Sequence, residues 1–260
     1  MGILNVTPDS FSDGGKFSNV ASALDRIYIM LKQGAQIIDI GGESTRPDAE
    51  SVTEQEELER VVPVLTEAMK HFPNAEFSID TTKFKVAQQC LELGATMVND
   101  VSGLRKEPQL AGLCAKFDAT YVLMHSIGDP TTMQKNPEYD DVVEHVADFF
   151  EAKIEVLQNA GVKKIVLDPG IGFGKTLEHN LALIAQLATF QKFGFPLLMG
   201  ASRKSMIGQI LDNCAPKDRV IGTVAAHYHS LVNGAHILRV HDVKEATESI
   251  RIFQAVQSQQ

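Results

Sequence analysis

The feature that most constrains this chain is an alternation. Short apolar segments, each long enough for one strand, recur at residues 2–6 (GILNV), 36–42 (QIIDIGG), 77–80 (FSID), 96–100 (TMVND), 120–125 (TYVLMH), 164–168 (KIVLD), 196–200 (PLLMG) and 235–240 (AHILRV). A loop and a stretch with helical periodicity follow each of them. Their near-continuous apolar character is what a strand buried on both faces needs, and strands separated by helices are joined in parallel. Eight such units in 260 residues, with no linker, composition shift or low-complexity segment, predict the α/β class. A single-domain TIM (β/α)8 barrel over residues 1–260 fits this count better than an open doubly wound sheet.

Local signals agree. Thr53 followed by Glu56 is a capping box for a helix carrying Val61, Val64, Leu65 and Met69 on one face. Gly34 and Gly94 end two other helical patterns.

A barrel brings the C-terminal ends of all its strands to one mouth, so polar residues there can be judged together. They are Asn5, Asp39, Asp80, Asn99, His125, Asp168, Ser202 with Lys204, and Arg239 with His241. Any one of the Asp, Asn or Ser residues could be a helix cap. A complete ring of them is harder to explain that way, and Arg239 and His241 are poor N-caps. Spaced by two on a strand, those two are predicted to point the same way and to donate to one anion. A second anion site is predicted at residues 197–205 (LLMGASRKS), where an apolar strand delivers Ser202, Arg203, Lys204 and Ser205 to the start of a helix.

Composition removes several classes of function. A net charge of −9 and a pI near 5.4 exclude a general nucleic-acid surface, so any anion binds locally. Cys90, Cys114 and Cys214 are far apart and have neither disulfide-framework nor zinc-site spacing. No apolar run reaches ~18 residues and no signal sequence precedes the first strand, so a cytoplasmic protein with no membrane association is expected. PGIGFGKT imitates a phosphate loop, but Pro169 stands where the first glycine should be, and Lys175 replaces the third glycine of a dinucleotide fingerprint. It reads as a glycine-rich turn holding Phe173 over the barrel mouth, an unusual use of surface. His227 and His229 lie on different sides of a helix and form no metal pair.

Taken together, GILNVTPDSFSDGG, GGESTRP, SIDT, VNDVSG, LMH, LDPGIGFGK, SRKS and RVHDV resemble, in order and spacing, the motifs of dihydropteroate synthases over essentially the whole chain. The resemblance implies a transferase of folate biosynthesis on a TIM barrel. It condenses p-aminobenzoate with (7,8-dihydropterin-6-yl)methyl diphosphate, releasing diphosphate and 7,8-dihydropteroate, with Mg2+. Matched motif by motif, the pterin lies against Asp80, Asn99, Met124, Asp168 and Lys204. Asn5 and Asp13 hold Mg2+ and the diphosphate, which Arg239 and His241 anchor. Thr45 and Arg46 belong to the second substrate loop. Phe11, Pro47 and Phe173 wall the p-aminobenzoate slot, and Ser205 receives its carboxylate. Asp13, Arg46, Lys204, Arg239 and His241 carry the chemistry. Sulfonamides are implied as competitive inhibitors, and a homodimer through the late helices as the assembly.

The sequence departs from the family pattern at Asp48, where Gly is common, and at Ser126 and Ile127 after LMH, where Met and a longer polar residue are frequent. Members usually carry a segment ahead of GILNV that covers the barrel bottom, so either the natural start is earlier or that end is less covered. Two competing readings are a catalytically silent pterin-binding paralogue and a pterin-binding methyltransferase domain. The first predicts loss of Phe11, Asp13 or Arg46, and the second has no use for SRKS or for Arg239 with His241.

Overall fold

A computed structural model describes residues 1–7, 16–44, 51–128 and 137–259, with backbone only at 16–18. Its first six strands form one parallel sheet in sequential order: β1 (Gly2–Asn5), β2 (Ile37–Gly41), β3 (Glu76–Asp80), β4 (Met97–Asp100), β5 (Thr120–Met124) and β6 (Ile165–Asp168). A parallel pair, β7 (Leu198–Met199) and β8 (Ile237–Leu238), completes the ring. Single bridges, Leu167 to Leu197 on one side and Gly2 to Val240 on the other, close it. Two-residue strands are shorter than the apolar runs 196–200 and 235–240 suggest, because the last two strands meet their neighbours through those single bridges.

The helices cover the outside: α1 (Lys16–Lys32), α2 (Glu54–His71), α3 (Phe84–Glu92), α4 (Leu110–Phe117), α5 (Val142–Asn159), α6 (Leu177–Ala185), α7 (Ser205–Ile210), α8 (Val220–Val232) and α9 (Val243–Gln257). The capping box at the start of α2 is present, with the Thr53 hydroxyl accepting from Glu56 N and the Glu56 carboxylate from Thr53 N. A short 3-10 turn at Pro216–Asp218 separates α7 from α8. Ile27, Val61, Leu65, Val86, Leu110 and Phe150 are buried in the main core between strands and helices.

The barrel interior explains why the mouth is polar. One inward layer is apolar, with Met97, Val122, Val166 and Leu198 packed together beside Ile37 and Ile237. Side chains on a strand face the same way every second residue. Two positions further along these strands stand Asp39, Asn99, Met124, Asp168, Gly200 and Arg239. The apolar plug holds the strands together, and the next layer carries the chemistry.

Candidate active site

Arg239 sits at the centre of the polar layer. Its Nε donates to Asp39 Oδ2 and its Nη2 to Asp80 Oδ2, each at 2.6 Å. Burial opposes the arginine's charge, but Asp39 and Asp80 outweigh it and hold the guanidinium protonated well beyond its ordinary range. Asp80, cut off from water, is pushed up to about 7 despite Arg239. Asp39 Oδ2 also accepts from Asn99 Nδ2 at 3.0 Å. Gly41 stands level with Asp80 on the neighbouring strand.

His241 does not share Arg239's partners. Ser202 Oγ accepts from the His241 backbone N at 3.1 Å and lies 3.0 Å from its Nδ1. Ser202 Oγ donating to Nδ1 while accepting from the backbone N–H is the arrangement that leaves the imidazole proton on Nε2. Burial and then Arg239 depress His241 to about 4, so it is a neutral donor near pH 7. The prediction of two aligned donors is therefore refined to a cation held among carboxylates and a separate neutral imidazole.

At the ends of the neighbouring strands, Lys204 Nζ lies 4.1 Å from the centroid of the Phe173 ring, a cation–π contact. Phe173 is only 8% exposed and packs on Met124 and Val101. It is thus tucked into the mouth and not displayed on the surface above it, a correction to the expectation of a ring held over the mouth. Burial, then Arg239, lowers Lys204 to about 8. Burial raises Asp168, against the Gly170 N–H that donates to its Oδ1 at 2.7 Å.

The turn that carries Phe173 is rigidly bonded. Tyr139 OH donates to Gly174 O at 2.8 Å, and Asn180 accepts from Gly172 N at 2.7 Å and donates to Thr176 O at 2.6 Å. Lys175 is buried inside it, donating to Phe173 O at 3.0 Å and lying 2.9 Å from His125 Nδ1. His125, expected at the mouth, is the neighbour of inward-facing Met124 and so faces outward, edge-on to His145 and Phe149. Desolvation, then Lys175, pushes it down to about 2. Sequence reasoning set Lys175 aside with the false phosphate loop; a lysine inside a glycine-rich turn beside a strand-end histidine was the available signal.

Lys175 gives a signed prediction. Burial lowers it from 10.5 to about 7, so between those values the folded protein binds fewer protons than the unfolded chain. The stability lost to burying the ammonium is lost in full below pH 7 and is recovered as pH rises towards 10.5. Wild type is therefore expected to gain stability relative to Lys175→Met between about pH 7 and 10, read by urea denaturation across that range.

The predicted anion site at residues 202–205 is divided. Arg203 is committed to Asp242, with Nε to Oδ2 at 2.9 Å and Nη2 to Oδ1 at 2.5 Å. Ser202 serves His241, Lys204 faces the mouth, and Ser205 is the exposed first residue of the six-residue α7, whose N-cap Lys204 makes no side-chain capping bond. Ser126 donates to Val101 O at 2.7 Å, and Ile127 packs beneath Gly174, so these two departures from the family pattern touch the Phe173 turn. Phe11, Asp13, Thr45, Arg46, Pro47 and Asp48 lie outside the described residues.

Among the described residues no group of three His, Cys, Asp or Glu side chains could hold a metal. His227 is buried and accepts from Ala201 N at 3.2 Å, a structural role. For Mg2+ the described residues offer Asn5, an amide oxygen at the end of β1 level with Gly41. A hard oxygen donor of this kind fits an ion that takes only one or two protein ligands and completes its shell with phosphate and water.

Comparison with known proteins agrees with this geometry. A family described as pterin binding enzyme matches residues 1–241. The dihydropteroate synthase of Synechocystis sp. is 47% identical over 258 residues, covering 98% of this chain and 89% of the relative. That of Escherichia coli K12 is 46% identical over 260 residues, covering 99% and 91%. Among solved structures, Yersinia pestis dihydropteroate synthase in a sulfonamide complex superposes with a TM-score of 0.93 at 48% identity, covering 99% of this chain and 94% of that one. Xanthomonas albilineans dihydropteroate synthase with 4-aminobenzoic acid gives 0.92 at 41%, covering 99% and 92%. Matches of this length and identity, on a barrel whose mouth is built as described, place the chain in the dihydropteroate synthase family of pterin-binding enzymes.

Proposed function

We propose that the chain condenses p-aminobenzoate with (7,8-dihydropterin-6-yl)methyl diphosphate to give 7,8-dihydropteroate and diphosphate. The observation that carries this reading is the joint placement, in one desolvated mouth, of the acceptors Asp80, Asn99 and Asp168 and the cations Lys204 and Arg239. Acceptors suit the donor-rich pyrimidine edge of a pterin, Met124 covers its face, and a buried guanidinium suits phosphate oxygens. Relatives solved with pteroic acid, 4-aminobenzoic acid and a sulfonamide support the same assignment.

The carbon–oxygen bond to the diphosphate breaks first, and its electron pair leaves with the diphosphate. Arg239 and the Nε2–H of His241 stabilise the departing charge, while Lys204 and Asp168 hold the pterin. The aniline nitrogen then attacks the cationic methylene from a slot walled by Phe173, and loses its proton as the carbon–nitrogen bond forms. Ser205 receives the aminobenzoate carboxylate. Phe11, Thr45, Arg46 and Pro47 are assigned to the slot and its loop by the motif match alone. Asn5 and, by the motif match, Asp13 would hold Mg2+, which would supply charge neutralisation for the leaving group. Catalysis on this scheme is positioning and electrostatics, with no covalent nucleophile.

The test is to incubate the protein with pterin diphosphate, p-aminobenzoate and Mg2+ and follow both products. One diphosphate released per dihydropteroate formed is expected, with sulfonamide competing against p-aminobenzoate. Folded protein that binds the pterin yet couples no diphosphate release to product would instead be a silent paralogue.

We propose a cytoplasmic homodimer through the late helices. No described helix is long and apolar enough to cross a membrane. Leu181 on α6, Ile210 on α7, Ile221 and Val232 on α8, and Ile252 on α9 are exposed, with Ile221 at 84%. Apolar exposure of this extent marks an association surface. Sedimentation is expected to find wild type as a dimer and Ile221→Glu shifted to monomer; a monomeric wild type contradicts the assignment.

A further inference from the structure

Asn99 is 2% exposed, yet its Oδ1 has no hydrogen-bond partner among the described residues. The other end of the same amide is fixed: Nδ2 donates to Asp39 Oδ2 at 3.0 Å. Asp39 is fully buried, and the same oxygen accepts from Arg239 Nε at 2.6 Å. The Asp39 oxygen that receives the guanidinium N–H is an acceptor there, and it takes the amide N–H in the same role. If the Asn99 amide turned over, two oxygens would face each other without a proton, at a cost above that of an ordinary missing hydrogen bond. Asp39 therefore dictates which end of the amide points away from it. Asn99 pairs in register with Asp80, whereas Asp39 pairs with Ser78, two residues earlier on β3. Asp39 thus occupies one end of the amide, and the oxygen at the other end is left without a protein partner among the described residues.

We propose that Asp39 is a positioning residue for substrate recognition, which by holding the Asn99 NH2 commits the Asn99 oxygen to an N–H donor of the bound heterocycle. This rests on the reading of the mouth as a pterin site. A ring that presents an acceptor at that edge is rejected, because neither it nor Asn99 can then be satisfied. The same carboxylate orients Arg239, so one buried group sets both the ring-reading amide and the guanidinium assigned to the diphosphate.

The probe is a pterin without diphosphate, 6-hydroxymethylpterin, whose binding reads the ring end of the site alone. Asp39→Leu removes the acceptor and frees the amide, and is expected to weaken pterin binding about tenfold or more. Asp39→Asn keeps an oxygen towards both Arg239 and Asn99 while losing the charge, and is expected to stay within about threefold of wild type. The KM for p-aminobenzoate should be unchanged in both. Asp39→Leu binding pterin as wild type does would overturn the proposal. So would Asp39→Asn losing as much as Asp39→Leu, since the role would then be charge and not orientation. A wild-type protein that binds no pterin removes the site reading itself, and the role of Asp39 with it. Neutron diffraction of the wild-type pterin complex keeps the question decidable if Asp39→Leu does not fold. Deuterons of the Asn99 nitrogen aimed at Asp39 are expected, and deuterons aimed at the pterin refute the assignment.

Discussion

Arg239→Ala is expected to lose activity and stability together. The guanidinium is the partner of Asp39 and Asp80. Removing one member of a buried ion pair leaves the other charges uncompensated, which costs about 3–5 kcal/mol. In turnover, the loss of a preorganised cation for the leaving diphosphate should lower kcat by about 10²–10³. A pH signature separates the two effects. Asp80 is already raised from 3.8 to about 7 by burial, and without Arg239 it loses its main opposing charge. A carboxyl whose folded pKa exceeds its unfolded one binds protons preferentially in the fold, so its destabilisation is complete above the folded value and relieved as pH falls. The Asp80 share of the Arg239→Ala deficit should therefore shrink as pH falls towards about 7, below which Asp80 is protonated in the wild type as well, while the turnover deficit persists. Denaturant unfolding and steady-state kinetics as a function of pH decide the matter. A variant with wild-type kinetics would remove Arg239 from the mechanism.

Gly170→Ala is expected to be nearly as damaging, although residue 170 has no side chain to act on a substrate. Its φ is +71°, a backbone region that side chains rarely adopt, and a Cβ there would lie 1.9 Å from His125 O and 3.4 Å from Lys175 Nζ. Neither backbone can yield cheaply, because His125 N is bonded to Asp168 O and Gly170 N to the Asp168 carboxylate. The turn must lift off the end of β5, taking Lys175 and Phe173 with it. The expected loss is about 3 kcal/mol or more in stability, with raised KM for both substrates. Gly112→Ala is the control, since nothing lies within 4 Å of its Cβ and α4 should gain about 0.5–1 kcal/mol of helix propensity. Equal behaviour of the two variants in thermal unfolding would contradict the steric account.

Much of this was legible from the chain. A strand buried on both faces has to be apolar throughout, so the strands announced themselves, and helix punctuation at Thr53, Gly34 and Gly94 followed from backbone hydrogen bonding. The barrel then told which residues share a mouth, because strand ends are level in a closed parallel sheet. Orientation was less legible. His125 ends a strand as Asp168 does, but one step of the pleat turns it outward, towards His145 and Phe149. Arg203 stands next to Lys204 in sequence, yet Asp242, 39 residues away, takes it out of the site.

What the sequence determined by itself is the periodicity, and with it the fold class, the ring of polar strand ends and the family motifs. These are local quantities, set by residue type and spacing. Only the tertiary structure decided which charges neutralise one another. Arg239 could not be assigned to Asp39, 200 residues away, or to Asp80, 159 away, before the barrel closed. Nor could Lys175 be read as a buried lysine depressed to about 7 while its turn was only a string of glycines. Desolvation and pairing belong to the closed mouth, where groups distant in sequence share one low-dielectric space.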